Sequence, residues 1–106
     1  MFDEAIPAIS PDSAKALIAR GAATVVDVRE PHEVARTGKI AGAVHVPLGE
    51  IGSHEFDRQK TLVLYCAVGE RSDMGGRILK SRGYRNVFNL GGFRDWVKSG
   101  GAVEQA

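Results

Sequence analysis

Cys66 is the residue of this sequence best suited to covalent chemistry. It is the only cysteine, and it directly follows Thr61 to Tyr65, a run that is apolar at nearly every position. A lone cysteine in such a place is, by default, an inert buried thiol. This run, however, is typical of a central parallel strand, and open α/β sheets bind ligands just beyond the carboxyl ends of such strands. We therefore predict that Cys66 lies at a functional edge of a sheet.

The residues that follow Cys66 are suited to stabilising negative charge on its sulfur. The predicted binding loop consists of Ala67, Val68, Gly69, Glu70, Arg71 and Ser72. A tight loop between a strand and a helix N-terminus directs several backbone N–H groups at one point and so forms an anion cradle. Gly69 can adopt backbone angles closed to other residues. The Arg71 side chain either meets an anionic donor with its positive charge or points away and braces the loop through backbone carbonyls. The sequence thus predicts a thiolate nucleophile held by backbone amides.

This activation needs no histidine base. His32, His45 and His54 lie in other segments of the chain, and their spacing is not that of a metal site. We expect each of them to contact solvent or to make a local structural hydrogen bond. No metal and no cofactor are expected, because the protein sulfur supplies the chemistry.

Composition limits the class of protein. The chain has 106 residues, 43% apolar and 25% charged, which predicts one domain over residues 1–106. A single cysteine excludes an intramolecular disulfide and a C-x-x-C redox pair. The formal net charge is +1 with both signs interleaved, so neither nucleic acid nor a membrane surface is an expected partner. The start of the chain lacks a secretory signal pattern, which predicts a cytoplasmic protein.

The elements that must position Cys66 alternate between strands and amphipathic helices, as in an α/β domain with a largely parallel sheet. Helices are predicted after Ser10-Pro11, around residues 33–36, from Ser72 to Gly83 with Met74, Ile78 and Leu79 facing inward, and after Gly92 with Phe93, Trp96 and Val97 sharing one face. Strands are predicted at residues 24–28, 43–46, 61–65 and 86–90. Residues 48–60 are expected to form a short helical turn and loop, and the tail after Gly100-Gly101 is expected to fray.

Four segments together resemble the rhodanese family. They are the loop pattern Cys-x-x-Gly-x-Arg-Ser at residues 66–72, the segment Val26-Asp27-Val28-Arg29-Glu30-Pro31 with Glu33 beyond it, the glycine-alanine segment from Gly38 to Pro47, and Leu90-Gly91-Gly92-Phe93 with Trp96. Any one of them is weak evidence, but four in the right order cover nearly the whole chain. The resemblance implies a fold of about five mostly parallel strands flanked by helices in three layers.

The resemblance also implies an activity. In that family the loop cysteine accepts a sulfane sulfur from a donor such as thiosulfate or a persulfide and passes it to a thiol or cyanide. For this chain, the resemblance implies that Cys66 forms the persulfide and that the loop amides stabilise its outer sulfur. A protein thiol is a further candidate acceptor. Asp27 and Arg29 match family positions near the active face, where an ion pair supporting the sheet edge is favoured over substrate contact.

Some residues depart from the family pattern. Lys39 stands where histidine is frequent, and Asp73 stands where a small residue is frequent. Ala67 and Val68 carry no polar side chains, and Glu70 adds a negative charge beside Arg71. Thiosulfate is a dianion and is repelled by negative neighbours. An organic persulfide or a protein donor is therefore predicted to suit the loop better.

Two other functions fit the same features. A phosphatase of related fold would resemble Cys-x5-Arg, but only four residues separate Cys66 from Arg71 here, and the smaller loop favours a single added sulfur. A sulfur carrier or a regulatory module without turnover is the second alternative. The cysteine, Gly69 and the arginine are all present, which favours an active sulfurtransferase.

Overall fold

A computed structural model describes residues 5–105 of the chain. The elements in chain order are α1 (Pro11–Ala19), β1 (Ala23–Asp27), α2 (Pro31–Thr37), β2 (Lys39–Ile40), β3 (Val44–His45), a 3-10 turn (Leu48–Glu50), β4 (Thr61–Cys66), α3 (Glu70–Ser81), β5 (Val87–Gly92), α4 (Phe93–Lys98) and β6 (Val103–Glu104). The four predicted strands and four predicted helices occur in the predicted order, whereas β2 and β6 were not predicted. Within residues 5–105 no helix has the length and apolar character that crossing a membrane requires.

Four strands form one parallel sheet in the order β3-β1-β4-β5. Strand β4 is central, and its four apolar residues before the cysteine, 62–65, follow from burial on both sides. Its last residue, Cys66, pairs with Gly92 at the end of β5. The carboxyl ends of the strands therefore bring the cysteine loop and the Gly91-Gly92 segment to the same edge.

The two faces of the sheet are covered by different elements, which gives the predicted three layers. In β4, Leu62, Leu64 and Cys66 belong to one apolar cluster, whereas Val63 and Tyr65 belong to the other. This alternation is the period of two expected of a strand. The first cluster includes residues of α3, and the second includes residues of α1 and α4. The mixed α/β class is thus confirmed.

The inward side of helix α3 consists largely of small residues, which allow the helix to pack closely against the sheet. Its buried residues are Ser72, Gly75, Gly76 and Leu79. A Cβ added at Gly75 would lie 3.2 Å from the Leu64 side chain. The prediction that Met74 faces inward is wrong, because that side chain is 56% exposed. The glycines, which periodicity does not register as core, take the inward positions instead.

A second, two-stranded sheet was missed by the sequence analysis. Strand β2 pairs antiparallel with β6, so a two-stranded ribbon accompanies the four parallel strands. The expectation that the tail frays is wrong as far as residue 105. Gly101 leaves room for the Trp96 ring, whose Nε1 donates to the Ala102 carbonyl at 2.9 Å, and this contact holds the tail in place.

The prediction that Val97 shares the buried face of α4 is wrong, because its side chain is 47% exposed.

Candidate active site

The Cys66 side chain lies at the carboxyl end of β4, directly before the loop, as the sequence predicts. The residue is fully buried, and it belongs to the apolar cluster between the sheet and α3. The side chain therefore exposes no surface to solvent in this conformation.

The buried sulfur is nevertheless surrounded by polar donors. The Gly69 N–H donates to Sγ at 3.0 Å, and the Ser72 hydroxyl lies 3.4 Å from it. Burial raises the pKa of the Cys66 thiol, but hydrogen bonds from Ser72 and from the backbone of Ser72, Gly69 and Val68 outweigh it, and the net pKa is lowered. The loop amides are therefore directed at the sulfur rather than away from it.

Gly69 makes this geometry possible. Its φ is 102°, in the left-handed region that favours glycine, and it is the residue immediately before α3 begins at Glu70. The turn aims its N–H back at Cys66, while its carbonyl accepts the first helical hydrogen bond, from the Asp73 N–H at 3.1 Å. One glycine thus serves both the sulfur and the helix start.

The other loop side chains point outward. Ala67 and Glu70 are exposed, and Val68 is 77% exposed. Their contribution to the sulfur is through the backbone, as predicted from their side chains. The outer surface of Ala67 and Val68 borders an open groove of about 500 Å³ whose opposite wall consists of Arg94 and Asp95.

Arg71 is not directed at the sulfur but pairs with Glu33 at the start of α2. Its two Nη atoms donate to the two carboxylate oxygens at 2.7 and 2.9 Å, a bidentate geometry. The hydrogen bond from Arg71 lowers the pKa of Glu33 to about 2, and the same pairing raises the pKa of Arg71. The positive charge expected for an anionic donor is therefore largely neutralised by Glu33, which the sequence analysis did not assign to the site.

Asp27 and Arg29 form a buried ion pair, the arrangement that the sequence analysis favoured over substrate contact. The Arg29 Nη2 donates to Asp27 Oδ2 at 2.7 Å, and both side chains are almost fully buried. The Tyr65 hydroxyl donates to the same carboxylate at 2.6 Å, and burial together with Asp27 raises the pKa of that phenol. The Arg29 guanidinium also lies 4.5 Å from the centre of the Phe93 ring. This network fixes the end of β1 beside the end of β4.

Two residues of β5 that the sequence analysis did not assign to the site complete it. The Asn89 amide contacts both Gly69 and Ser72. A Cβ on Gly92 would lie 2.5 Å from the Ala67 carbonyl oxygen, so only glycine allows the loop to pass this close to the strand. A polar side chain inside an apolar strand is the signal by which Asn89 could have been found.

The structure places His45 and His54 in contact with other residues and leaves His32 exposed. His45 Nε2 forms a 2.7 Å hydrogen bond with the Arg29 carbonyl. The His54 ring packs against Phe56 with 4.5 Å between ring centres. His32 is exposed at the start of α2.

The structure is an α/β domain with a parallel sheet, helices on both faces and a cysteine loop at the carboxyl end of a central strand. The model of the Rhodanese-like domain family matches residues 10–99. The chain belongs to this family, as its motifs predicted.

Known relatives agree with this assignment. The chain is 37% identical over 76 residues to the candidate sulfur carrier protein YrkF of Bacillus subtilis, a match that covers 69% of this chain and only 40% of YrkF. It is 34% identical over 74 residues to the thiosulfate sulfurtransferase PspE of Escherichia coli, covering 66% of this chain and 70% of PspE. The structure of the human single-domain sulfurtransferase TSTD1 superimposes with a TM-score of 0.77 at 28% identity, covering 87% of this chain and 96% of that one.

Proposed function

We propose that this chain is a rhodanese-type sulfurtransferase that carries a sulfane sulfur as a persulfide on Cys66. The observation that carries the proposal is the 3.0 Å contact from the Gly69 N–H to the Cys66 sulfur at the junction of β4 and α3. Amide donors and a helix N-terminus favour negative charge at this point, whether it resides on the thiolate or on an added outer sulfur. Membership of the rhodanese-like domain family and similarity to PspE support the same chemistry.

The reaction divides into two displacements. The Cys66 thiolate attacks the sulfane sulfur of the donor, a new S–S bond forms, and the donor's own bond to that sulfur breaks with its electron pair, releasing sulfite when the donor is thiosulfate. An acceptor thiolate or cyanide then attacks the outer sulfur, and Cys66 leaves as a thiolate. The chemistry is covalent catalysis with ping-pong kinetics.

The loop backbone is the part of the protein that stabilises the charge in both steps. The amides of residues 67–71 are fixed donors that need no reorganisation when the outer sulfur becomes anionic. The Ala67, Val68 and Glu70 side chains face away from the sulfur, which leaves the backbone as the binding element.

The charges around the loop favour a persulfide donor over thiosulfate. Arg71 is held by Glu33, and Glu70 is exposed in the loop without a described partner. A dianionic donor therefore meets little net positive charge. The groove beside Val68, with Arg94 and Asp95 on its wall, suits a larger donor or acceptor that carries both an anionic and a cationic group.

A carrier without efficient turnover to small acceptors is the second candidate, and the similarity to YrkF favours it. A carrier would use the same persulfide but deliver it to a protein thiol. The sulfur is fully buried, so delivery in either case requires the loop to open. A phosphatase fits less well, because the Arg71 guanidinium is bound to Glu33 rather than left for a phosphate.

Intact mass spectrometry tests the proposal directly. The wild-type chain is incubated with thiosulfate or with an organic persulfide, and Cys66→Ser is the control. We expect a gain of one sulfur atom in the wild type only, reversed by cyanide or a thiol. No gain with either donor would refute the proposal, as would release of phosphate from an aryl phosphate without sulfur uptake.

The same samples distinguish catalyst from carrier. Turnover to thiocyanate or to a low-mass persulfide, followed over many equivalents of donor, identifies a catalyst. Stoichiometric sulfur loading with negligible turnover identifies a carrier. Oxidation of the unpaired cysteine is controlled by keeping a parallel sample under reducing conditions, because a low-pKa thiol with no resolving partner proceeds to higher oxidation states.

A further inference from the structure

The orientation of the Asn89 side-chain amide is fixed by two backbone groups. The Gly91 N–H donates to Oδ1 at 2.9 Å, and Nδ2 donates to the Gly69 carbonyl at 3.0 Å. Exchanging the amide oxygen and nitrogen would set a donor against a donor and an acceptor against an acceptor. Oδ1 is therefore the atom that faces Ser72.

This orientation decides where the single proton of the Ser72 hydroxyl lies. Ser72 Oγ is 2.7 Å from Asn89 Oδ1 and 3.4 Å from Cys66 Sγ. Oδ1 carries no proton, and two oxygens at 2.7 Å attract each other only when one of them donates. Ser72 thus donates to Asn89 and presents a lone pair to the sulfur, which makes the Cys66 S–H the donor in the remaining contact. In this arrangement the Ser72 hydroxyl does not stabilise a thiolate, and only the backbone donors do.

A thiolate at Cys66 needs the opposite arrangement. When the thiol proton passes to water, the sulfur has no hydrogen to donate and gains most from accepting the Ser72 proton. The hydroxyl must then turn away from Asn89, and the two oxygens must separate. Oδ1 keeps its hydrogen bond from Gly91, so it is not left without a donor. Asn89 and the Cys66 sulfur therefore compete for one proton.

We propose that Asn89 is a positioning residue that sets the direction in which the Ser72 hydroxyl donates, and that it thereby opposes the ionisation of Cys66 that the loop amides favour. The effect on sulfur transfer rests on the function proposed above, whereas the effect on thiol ionisation does not. A thiol is the less readily oxidised form, and no second cysteine is present to rescue an oxidised Cys66.

The ultraviolet absorbance of the thiolate, followed against pH, tests this competition without requiring access to the buried sulfur. The matched replacement is Asn89→Leu, which keeps the branched shape but has no acceptor. We expect it to lower the pKa of Cys66 by about half to one unit, because the Ser72 proton is released to the sulfur. Ser72→Ala is expected to raise the pKa by a similar amount, because the thiolate loses that donor.

The double variant separates this role from simple support of the loop. Asn89→Leu also removes the hydrogen bond to the Gly69 carbonyl, and in the Ser72→Ala background only that loss remains. In that background we expect Asn89→Leu not to lower the pKa of Cys66. In a Ser72→Thr background, which keeps the hydroxyl, we expect Asn89→Leu to lower that pKa again. A raised pKa in Asn89→Leu, or an equal change in both backgrounds, would overturn the proposal.

Two further measurements keep the result interpretable. If Asn89→Leu does not fold, Asn89→Val carries the same comparison, since a β-branched residue suits a strand and also lacks an acceptor. Persulfide formation is measured separately by intact mass. A wild type that takes up no sulfur would overturn the proposed function while leaving the titration result in force.

Discussion

Replacing Glu33 by glutamine should remove most of the stabilisation that the bidentate pair with Arg71 gives the fold. Glutamine is close in size and keeps an oxygen to accept the Glu30 N–H, which Glu33 Oε1 accepts at 2.9 Å. The change therefore removes the negative charge and the second acceptor of the bidentate pair, and it keeps the contact with Glu30. It isolates the ion pair between α2 and the start of α3.

The size of the effect follows from the pKa of Glu33, which the hydrogen bond from Arg71 lowers from 4.5 to about 2. At about 1.36 kcal/mol per pKa unit, the upper limit is about 3.4 kcal/mol. The Arg71 and Glu33 side chains are 33% and 24% exposed, so solvent screens the pair. We expect a loss of about 1 kcal/mol in the free energy of unfolding at neutral pH.

The pH dependence gives the sign of the effect. Because the pKa of Glu33 is lower in the folded chain than in the unfolded chain, the stabilisation is fully present above the unfolded value of 4.5 and is lost as the pH falls toward about 2. Urea unfolding of the wild type and of Glu33→Gln, repeated across this range, should give two free energies of unfolding that converge at low pH.

A double-mutant cycle with Arg71→Met supplies the control. If the two side chains act as a pair, the loss in the double variant should be about 1 kcal/mol smaller than the summed losses of the single variants. The reasoning would be refuted if the difference in the free energy of unfolding between the wild type and Glu33→Gln stayed constant from neutral pH down to about 2. A coupling energy near zero would refute it as well.

The same variant also tests why thiosulfate is expected to be a poor donor. The Arg71 charge interacts with Cys66, and Glu33 compensates it. In Glu33→Gln, we expect kcat/KM for thiosulfate to rise up to about fivefold, which corresponds to about 1 kcal/mol. A donor without net charge should respond much less. An equal rise for both donors would contradict the electrostatic explanation.

Two further predictions concern the groups that hold the site together. Gly92→Ala places a Cβ 2.5 Å from the Ala67 carbonyl oxygen, so it should cost about 1 to 3 kcal/mol in urea unfolding and reduce sulfur uptake by intact mass. Gly49→Ala, where nothing lies within 4 Å, is the matched control and should retain both. Tyr65→Phe removes the hydroxyl that accepts the buried Ile40 N–H at 2.9 Å, and should cost about 1 to 3 kcal/mol by the same unfolding measurement. An unchanged unfolding midpoint in Gly92→Ala or Tyr65→Phe would count against the corresponding contact.

Part of the candidate site could be predicted from the sequence because it is local. An apolar strand that ends in a cysteine, followed by a glycine loop and a helix start, determines its own backbone course over a dozen residues. The position of Gly69 before α3 and the exposure of the Ala67 and Val68 side chains both follow from that local pattern.

The partners of these residues could not be predicted, because they come from distant parts of the chain. Glu33 is 38 residues from Arg71, and Asn89 is 17 residues from Ser72. Which of the many carboxylates and amides reaches the loop depends on strand order. That order places β5 beside β4 and sets the ends of both strands at one edge.

The sequence by itself determined the alternation of strands and helices and the place of Cys66 at the end of the central strand, since both depend on hydrophobic period and on turn residues. Only the tertiary structure decided that Arg71 is paired with Glu33 and that the Ser72 hydroxyl donates to Asn89. It also decided that glycines rather than Met74 form the inward side of α3. The physical reason is that charge pairing and close packing depend on distances in space, which local patterns along the chain do not contain.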